Sequence, residues 1–232
     1  MDFKDFTIII PTLNEEENIG DLVTFLIKKY SDIQVIVCDD GSKDKTKEIV
    51  EALSQENKNV KLLKSDNDNI HGICRRVTEG TKEVKTKYLI VMDADFQHPP
   101  EKIKEIAKNL EKGYEIVIGT RKKVENWRFD RKLMSCVATW LGKIVLFLKR
   151  KKIPRDILSG FFGIKTEIFK WAIKTYPQKF ELPGYKVLFD LLKIIPNDIK
   201  IKEVYYTFGQ RKRGQSKIKT KHIILFLKSL LK

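Results

Sequence analysis

Residues 88–98 read Tyr88-Leu89-Ile90-Val91-Met92-Asp93-Ala94-Asp95-Phe96-Gln97-His98, an apolar run that leads directly into a polar cluster. Such a continuous apolar run is typical of a strand buried on both faces of a parallel sheet. Side chains two apart in an extended segment share one side, so Asp93, Asp95 and Gln97 can converge. Their oxygens suit Mg²⁺ or Mn²⁺, and the alternative is a metal-free loop that caps the next helix. We expect His98 to be a local hydrogen-bonding residue.

Similar apolar runs recur through residues 1–120 and alternate with amphipathic stretches. Strands are predicted at Thr7–Ile10, Val35–Cys38, Val60–Leu63, Tyr88–Met92 and Ile116–Ile118. Helices are predicted at Glu15–Tyr30, Asp44–Leu53, Ile73–Val84 and Pro100–Glu111. This alternation predicts parallel βαβ units in an α/β, Rossmann-like sheet with helices on both faces. The active site of such a sheet lies beyond the carboxyl ends of its strands.

The pattern changes after Arg121. The sequence predicts a long apolar helix at Leu133–Leu148, strands at Phe161–Ile164 and Ile199–Thr207, and an amphipathic helix in the tail Lys217–Lys232. No linker rich in Gly, Pro or Ser separates the two parts. We therefore expect residues 1–232 to form one domain, in which residues 1–120 and 121–232 have different tasks.

Charge is divided unevenly between these two parts of the chain. The formal net charge is +15, yet residues 1–120 carry a net −5 and residues 121–232 carry a net +20. This asymmetry predicts an anionic partner for the second part: a nucleic acid, a membrane surface or a phosphorylated substrate.

Two more polar clusters follow predicted strands. In Pro11-Thr12-Leu13-Asn14-Glu15, Asn14 as N-cap and Glu17 at N3 are predicted to form a capping box, which does not exclude contact with a ligand. The structural alternative for Asp39-Asp40-Gly41-Ser42 is a turn that also provides an N-cap. Such a turn needs only one Asp and the Gly. The two adjacent carboxylates repel one another, which favours a hydrogen-bonding ligand at this strand end.

Other features of the sequence exclude whole classes of protein. Cys38, Cys74 and Cys136 are widely separated and form no CxxC motif, which argues against a disulfide framework or a zinc site and fits a reducing compartment. The N-terminus lacks the pattern of a signal peptide. No stretch of 18 uncharged apolar residues is present, so we expect no ordinary membrane-spanning helix.

The strand-end motifs resemble those of family 2 glycosyltransferases, which have the nucleotide-sugar-binding fold called GT-A, and most closely the dolichyl-phosphate (polyprenyl-phosphate) mannosyltransferases. The resemblance extends from about residue 5 to residue 220 and is specific as a combination. In the second part it rests on Gly119-Thr120-Arg121, Glu125-Asn126-Trp127, Arg131-Lys132-Leu133, Ser159-Gly160-Phe161-Phe162, Gly184-Tyr185-Lys186 and Arg213-Gly214-Gln215-Ser216-Lys217.

The resemblance implies roles for individual residues. A base and ribose pocket would be lined by Pro11, Leu13, Glu15 and Asp40. The divalent metal and the donor diphosphate would be held by Asp93, Asp95 and Gln97, with Ala94 between them. Phosphate groups would be faced by Arg121 and Arg131, with Ser135 on the acceptor side, and Lys186, Arg211 and Lys217 would close over them. Asp95, Arg121 and Arg131 would be catalytic. For Arg211–Arg213, the alternative is a solvated run of charges.

This sequence departs from the family's pattern in three places. Leu13 stands where the family often has an aromatic residue, which puts base stacking there in doubt. His71-Gly72-Ile73-Cys74-Arg75 replaces a turn of small residues, which leaves the preference for sugar or base open. Gln215 replaces a common Glu.

The activity implied by the resemblance is an inverting transfer of a hexose, mannose from GDP-mannose, to dolichyl or polyprenyl phosphate. The cofactor would be Mg²⁺ or Mn²⁺, and the partners would be the nucleotide sugar, the lipid phosphate and the cytoplasmic face of a membrane, where Leu133–Leu148 and the tail would be interfacial helices. A separate membrane-anchoring subunit is compatible with this interpretation. Leu133–Leu148 could alternatively be an ordinary core helix.

Alternative functions differ in donor, acceptor or class. UDP-glucose could be the donor, or a soluble glycan the acceptor. A nucleic-acid-binding module would use the +20 part, but it leaves three acidic strand ends unexplained. Because those acidic strand ends would repel phosphate unless a metal intervened, no nucleic acid is expected as a partner. An inactive scaffold is disfavoured by the intact Asp93, Asp95 and Gln97.

Overall fold

The strand β1 (Phe6–Thr12) lies in the middle of the sheet, and each of its residues is buried. The computed structural model describes residues 1–65, 71–124, 129–210, 213 and 220–232. On either side β1 pairs in parallel with β2 (Gln34–Asp39) and β4 (Tyr88–Val91). Its β-branched run Ile8–Ile10 suits a strand that is covered on both faces.

The first half follows the predicted alternation closely. After β1 come α1 (Glu16–Lys29), β2, α2 (Thr46–Glu56), β3 (Val60–Leu63), α3 (Ile73–Glu83), β4 and, after a 3₁₀ turn at Pro100–Lys102, α4 (Ile103–Glu111). The α/β sheet flanked by helices is therefore confirmed. In the edge strand β3 the side chain of Lys61 is exposed, which blunts this edge against pairing with another chain.

The strand that follows α4, β5 (Ile116–Val124), does not pair with β4 as a simple parallel series would predict. The strand β6 (Phe162–Lys165) lies between them and is antiparallel to both. The sheet order is β3-β2-β1-β4-β6-β5-β7, with β7 (Ile201–Phe208) parallel to β5. At Gly163 of β6, an added Cβ would come within 2.6 Å of Ile106 of α4, so the glycine allows this helix to approach the sheet.

Two hydrophobic clusters cover the two faces of the sheet. On one face Ile8 and Ile10 of β1 pack with α1, α2 and α4, and on the other face Ile9 packs with residues of α3. The second cluster also includes residues of the helices α5 (Phe129–Leu148), α6 (Thr166–Thr175), α7 (Val187–Leu192) and α8 (Thr220–Leu231). The helices α6 and α7 are additional to those that the sequence pattern predicted.

The two helices predicted to be interfacial are only partly core helices. Leu146 of α5 and Phe226 of α8 are buried, and the two helices contact one another. Other large apolar side chains on both remain exposed, including Trp140 at 62% and Leu231 at 89% of their reference surfaces. In the described ranges, no helix combines the length and the hydropathy needed to cross a membrane. Residues 217–219 of the predicted tail helix lie outside the described residues.

A buried polar network ties α8 to α7. The Lys193 ammonium, 1% exposed, lies 2.8 Å from Asp190 Oδ1 and donates to the Ser229 carbonyl. Ser229 Oγ donates to the same Asp190 oxygen, and Asp190 Oδ2 accepts from the Glu181 amide. Burial lowers the pKa of Lys193, and the charge of Asp190 opposes this effect. Loss of either Lys193 or Asp190 would therefore leave the other charge buried without compensation.

Replacing Asp190 should therefore destabilise the fold strongly. Asp190→Asn leaves the Lys193 charge buried without a counter-ion, and we expect it to lower the free energy of unfolding by about 3–5 kcal/mol. Urea unfolding followed by circular dichroism measures this change. The control is Glu105→Gln, which removes an exposed ion pair with Lys102 on the same kind of i,i+3 spacing and should cost less than about 0.5 kcal/mol. Equal effects of the two variants would contradict the network's role.

Candidate active site

A cleft of about 640 Å³ lies at the carboxyl ends of β1, β2 and β4. Its position agrees with the rule for open α/β sheets. Ten of the residues predicted to form the site line it: Pro11, Leu13, Glu15, Asp40, Asp93, Ala94, Asp95, Gln97, Arg121 and Lys186. The fold thus brings together side chains that are up to 175 positions apart in the chain (Pro11 and Lys186).

The remaining predicted site residues have a different status. Ser135 lies on α5, half-buried, and is not among the described residues that line the cleft. Arg131 belongs to the first turns of α5, but the description of this helix does not extend to its side chain. Arg211 and Lys217 lie outside the described residues. The roles of these four residues stay predictions.

A second groove of about 710 Å³ runs along the surface between α1 and α2. It is more open than the cleft, and the described residues that line it include Glu17, Asp21 and Lys28 but none of the predicted site residues. We therefore assign the chemistry to the strand-end cleft.

The capping box predicted for α1 was wrong. Asn14 adopts a left-handed backbone conformation with φ 51°, and its side-chain oxygen accepts from the Lys43 amide instead of capping its own helix. The Asn14 amide donates in turn to Ser42 Oγ, and the Glu16 amide donates to Asp44. The loops after β1 and β2 therefore hold each other in place, a pairing across the sheet that a local pattern cannot show.

The adjacent carboxylates Asp39 and Asp40 have separate functions. Asp39 is fully buried and closes the turn by accepting from the amides of Gly41 and Ser42 and from the Thr12 hydroxyl. Gly41 has φ 86°, a left-handed conformation that favours glycine. Asp40 lines the cleft instead. Of the two carboxylates, only Asp40 is therefore placed to bind the hydrogen-bonding ligand that the sequence predicted.

The polar cluster after β4 is held by local hydrogen bonds. Asp95 is 3% exposed and accepts from the Gln97 amide at 3.0 Å, and Gln97 Nε2 donates to the Gly209 carbonyl. His98 Nδ1 accepts from the Asp93 amide, as the sequence suggested, and its ring stacks on Phe161. Burial lowers the pKa of His98 to about 4, so the imidazole is neutral near pH 7.

The donor set of this cluster fits a divalent metal that shares its ligands with phosphate. Asp93 and Asp95 offer carboxylate oxygens, and Gln97, whose amide nitrogen is held by Gly209, offers its amide oxygen. Among the residues described here, no three His, Cys, Asp or Glu side chains are grouped as a metal site. Mg²⁺ commonly uses only one or two carboxylates together with water and substrate phosphates, so the set is compatible with such a metal.

Arg121 projects into the cleft from an irregular part of β5. The strand separates from β6 after Ile118, and its pairing with β7 shifts register between Arg121 and Lys123. Such a bulge redirects a side chain. The guanidinium forms a two-pronged ion pair with Asp156, at 2.6 Å from Nε to Oδ2 and 2.8 Å from Nη2 to Oδ1. This pairing fixes the plane of the guanidinium.

Two functional candidates, Asp156 and Arg76, were missed in the sequence. Asp156 lies in a loop without a periodic pattern, so nothing marked it. Arg76 falls between the buried residues Cys74 and Val77 of α3. A charged residue within the buried stripe of a helix was a usable signal, because such a charge needs a partner.

The Arg121–Asp156 pair predicts a pH-dependent contribution to stability. Burial alone would raise the pKa of Asp156, but the hydrogen bonds and charge of Arg121 outweigh burial and hold the pKa below its ordinary value. The ionised carboxylate therefore stabilises the fold fully above the unfolded-state pKa of about 3.9, and this contribution is lost as the pH falls through the lower folded-state value. Asp156→Asn should cost about 3 kcal/mol at pH 7, and the difference in unfolding free energy from the native protein should narrow as the pH falls below about 4.

Chemical unfolding at these pH values measures this difference. As a control, Glu83→Gln removes an exposed ion pair with Lys61 and should cost less than about 1 kcal/mol. A cost of Asp156→Asn as small as that of the control, at every pH, would show that Arg121 does not depend on Asp156.

Comparison with known proteins connects this cleft to a family. The chain is 36% identical over 230 residues to the dolichol-phosphate mannosyltransferase of Pyrococcus furiosus, covering 97% of this chain and 62% of that protein. It is 31% identical to the dolichol-phosphate mannosyltransferase of Saccharomyces cerevisiae, covering 97% of this chain and 85% of that protein. The chain thus spans somewhat less than two thirds of the Pyrococcus protein.

Solved structures confirm the fold. Glucosyl-3-phosphoglycerate synthase from Mycobacterium tuberculosis, solved with Mn²⁺ and UDP-glucose, superposes with a TM-score of 0.61 at 15% identity, over 97% of this chain and 79% of that chain. S. aureus TarS superposes with a TM-score of 0.59 at 18% identity, over 89% of this chain and 60% of that chain. The fold is therefore GT-A. The model of the family "Glycosyl transferase family 2" matches residues 7–171, and with these relatives it shows that the chain belongs to glycosyltransferase family 2.

Proposed function

We propose that this protein transfers a mannosyl residue from GDP-mannose to dolichyl or polyprenyl phosphate, with inversion at the anomeric carbon. The observation that carries the proposal is the cleft itself, which joins the carboxylates Asp93 and Asp95 to the cations Arg121 and Lys186. A nucleotide sugar and a phosphate acceptor need both kinds of group. The names of the Pyrococcus and Saccharomyces relatives support mannose and dolichyl phosphate as the substrates.

The acceptor phosphate supplies the nucleophile in this mechanism. One of its oxygens forms the new bond to the anomeric carbon while the bond from that carbon to the nucleoside diphosphate breaks, and the electron pair leaves with the diphosphate. The second pKa of a phosphate monoester is about 6, so the oxygen is anionic near pH 7. A general base is therefore unnecessary, and neutral His98 need not act as one.

Catalysis then depends on positioning and on stabilising the leaving diphosphate. Arg121, oriented by Asp156, and Lys186, whose Nζ donates to the Leu158 carbonyl at 3.0 Å, offer positive charge on the cleft wall. Asp93, Asp95 and Gln97 would hold Mg²⁺ or Mn²⁺, which neutralises charge on the diphosphate when bound. Arg131, Ser135, Arg211 and Lys217 are proposed to complete the binding of the donor and acceptor phosphates.

The second half of the chain is proposed to face the membrane that holds the lipid acceptor. On α5, Trp140, Phe147 and Leu148 are 62–73% exposed, and α8, which packs against α5, exposes Ile224 and Leu231. Exposed basic side chains border these apolar residues at Lys132, Lys149, Arg150 and Lys228. Apolar faces edged by cations are typical of helices that lie in a lipid interface. This arrangement supports peripheral association with the cytoplasmic face of a membrane. The cleft and this membrane-facing surface are proposed to belong to one domain over residues 1–232.

Transfer to lipid is the direct test of the function. We expect label from GDP-mannose to enter the lipid fraction when the protein is incubated with Mn²⁺ and a short polyprenyl phosphate. Labelled UDP-glucose and UDP-N-acetylglucosamine serve as comparison donors and should label the lipid much less. If none of the three donors labels the lipid, the proposal is wrong, and preferential transfer from UDP-glucose would replace mannose by glucose.

A variant of Asp95 provides the control for this assay. Asp95→Asn preserves the size of the side chain but removes its charge, and we expect it to lower the turnover by about 10²-fold or more because the leaving diphosphate loses its electrostatic support. Glu105→Gln on α4, outside the cleft, should leave turnover unchanged. Unchanged turnover in Asp95→Asn, with a native circular dichroism spectrum, would contradict the proposal that this carboxylate binds the metal.

Membrane association predicts a second measurable effect. The protein should co-sediment with vesicles of phosphatidylcholine and phosphatidylserine, and added salt should weaken the binding because charge contributes to it. Trp140→Asp should weaken partitioning roughly tenfold or more, since burying one large apolar side chain is worth about 1.5–3 kcal/mol. Trp171→Asp on α6, whose Trp is 39% exposed, is the matched control and should bind normally. Indifference of the native protein to vesicles would contradict the assignment of this surface.

A further inference from the structure

A buried arginine forms part of the wall of the cleft on the side of α3. Arg76 is 1% exposed and is the largest fully buried side chain among the described residues, yet it lines the cleft. A buried guanidinium is costly unless its charge is compensated. Its position next to the candidate nucleotide pocket therefore calls for a reason.

Two carboxylates compensate the charge of Arg76. Its Nε lies 3.2 Å from Asp40 Oδ1, and its Nη1 lies 2.9 Å from Glu79 Oε2, one turn along α3. These ion pairs lack the angles of hydrogen bonds. In the part of the chain that the structure describes, the three guanidinium nitrogens and Asp40 Oδ1 consequently have no hydrogen-bond partner.

Asp40 is the member of this group that can meet a ligand. Its Oδ2 accepts from the Gly72 amide at 3.0 Å, which fixes the carboxylate plane and leaves Oδ1 as the oxygen without a donor. An orphaned acceptor in the wall of a cleft gains a full hydrogen bond when a ligand supplies an N–H or O–H. The bases and the ribose of nucleotides carry such donors.

Asp40 needs positive charge to remain an acceptor. It is 6% exposed and stands beside buried Asp39 on its own strand, while α3 contributes Arg76 and Glu79 and the preceding loop contributes half-exposed His71. Burial raises the pKa of Asp40, and the charges of Arg76 and then His71 oppose the rise. Arg76 is the buried cation of this group, so it is the side chain on which the ionisation of Asp40 chiefly depends.

We propose that Arg76 is a positioning residue for donor binding, which keeps Asp40 ionised and oriented so that Oδ1 accepts a hydrogen bond from the nucleoside part of the nucleotide sugar. This inference rests on the proposed function, since it assumes a nucleotide in the cleft. It assigns a task to α3, a helix that carries none of the predicted site residues.

Removal of the Arg76 charge provides the test. Arg76→Met is close to arginine in shape and neutral, and we expect it to bind GDP in the presence of Mn²⁺ about tenfold more weakly at pH 6.5. The loss should shrink as the pH is raised, because removal of the Arg76 charge raises the pKa of the Asp40 carboxyl further and the carboxyl ionises again at higher pH. Arg76→Lys keeps the charge and should recover most of the affinity with a flat pH profile. Calorimetric titration of the full chain measures both, and KM for the nucleotide sugar should rise with little change in kcat.

Two further variants make the outcome decisive. Arg75→Met removes a neighbouring cation that pairs with Glu79 at 2.7 Å and is not among the described residues that line the cleft, and it should bind GDP normally. Asp40→Asn should weaken binding at every pH, and it keeps the test valid if Arg76→Met does not fold. Normal binding by Asp40→Asn, or a loss in Arg76→Met that is independent of pH, would overturn the inference. Failure of the native protein to bind either GDP or UDP would instead overturn the proposed function.

Discussion

The burial of β1 on both faces of the sheet is the constraint on which the rest of the molecule depends. All seven residues of this strand are buried, and its backbone is paired with β2 on one side and β4 on the other. Polar side chains of the central strands can therefore reach solvent only where the strands end. Asp40 and the cluster from Asp93 to Gln97 stand at that edge, so the position of the cleft follows from the packing of the core.

Charge inside and around the cleft is organised in pairs. Arg121 forms an ion pair with Asp156, and Arg76 forms ion pairs with Asp40 and Glu79. Farther from the cleft, the pair of Lys193 and Asp190 binds α8 through Ser229. Burial makes an unpaired charge costly, so each cation in these places comes with a carboxylate. The arginines consequently have fixed orientations before any substrate arrives, which reduces the reorganisation that binding and catalysis require.

The excess of positive charge in the second half has more than one use. The ammonium of Lys151 donates to the carbonyl of Ile195 and that of Lys152 donates to the carbonyl of Ile199, so both tie the end of α5 to the loop before β7. Other cations, such as Lys149 and Arg150, remain exposed beside the apolar face of α5. The composition alone suggested a single anionic partner, whereas the structure divides the same residues between backbone contacts and the surface proposed to meet a membrane.

The amino-acid sequence by itself determined the five strands of the first half, the helices between them and the polar residues at the strand ends, because each depends on local periodicity and on burial. It did not determine the place of β6 between β4 and β5, the contact of the β1 and β2 loops through Asn14, or the partners of Arg121 and Arg76. These features join residues that are distant in the chain, and only the tertiary structure brings them within hydrogen-bond or ion-pair distance. Local patterns therefore located the residues of the strand-end cleft, and long-range packing decided which of their charges are paired.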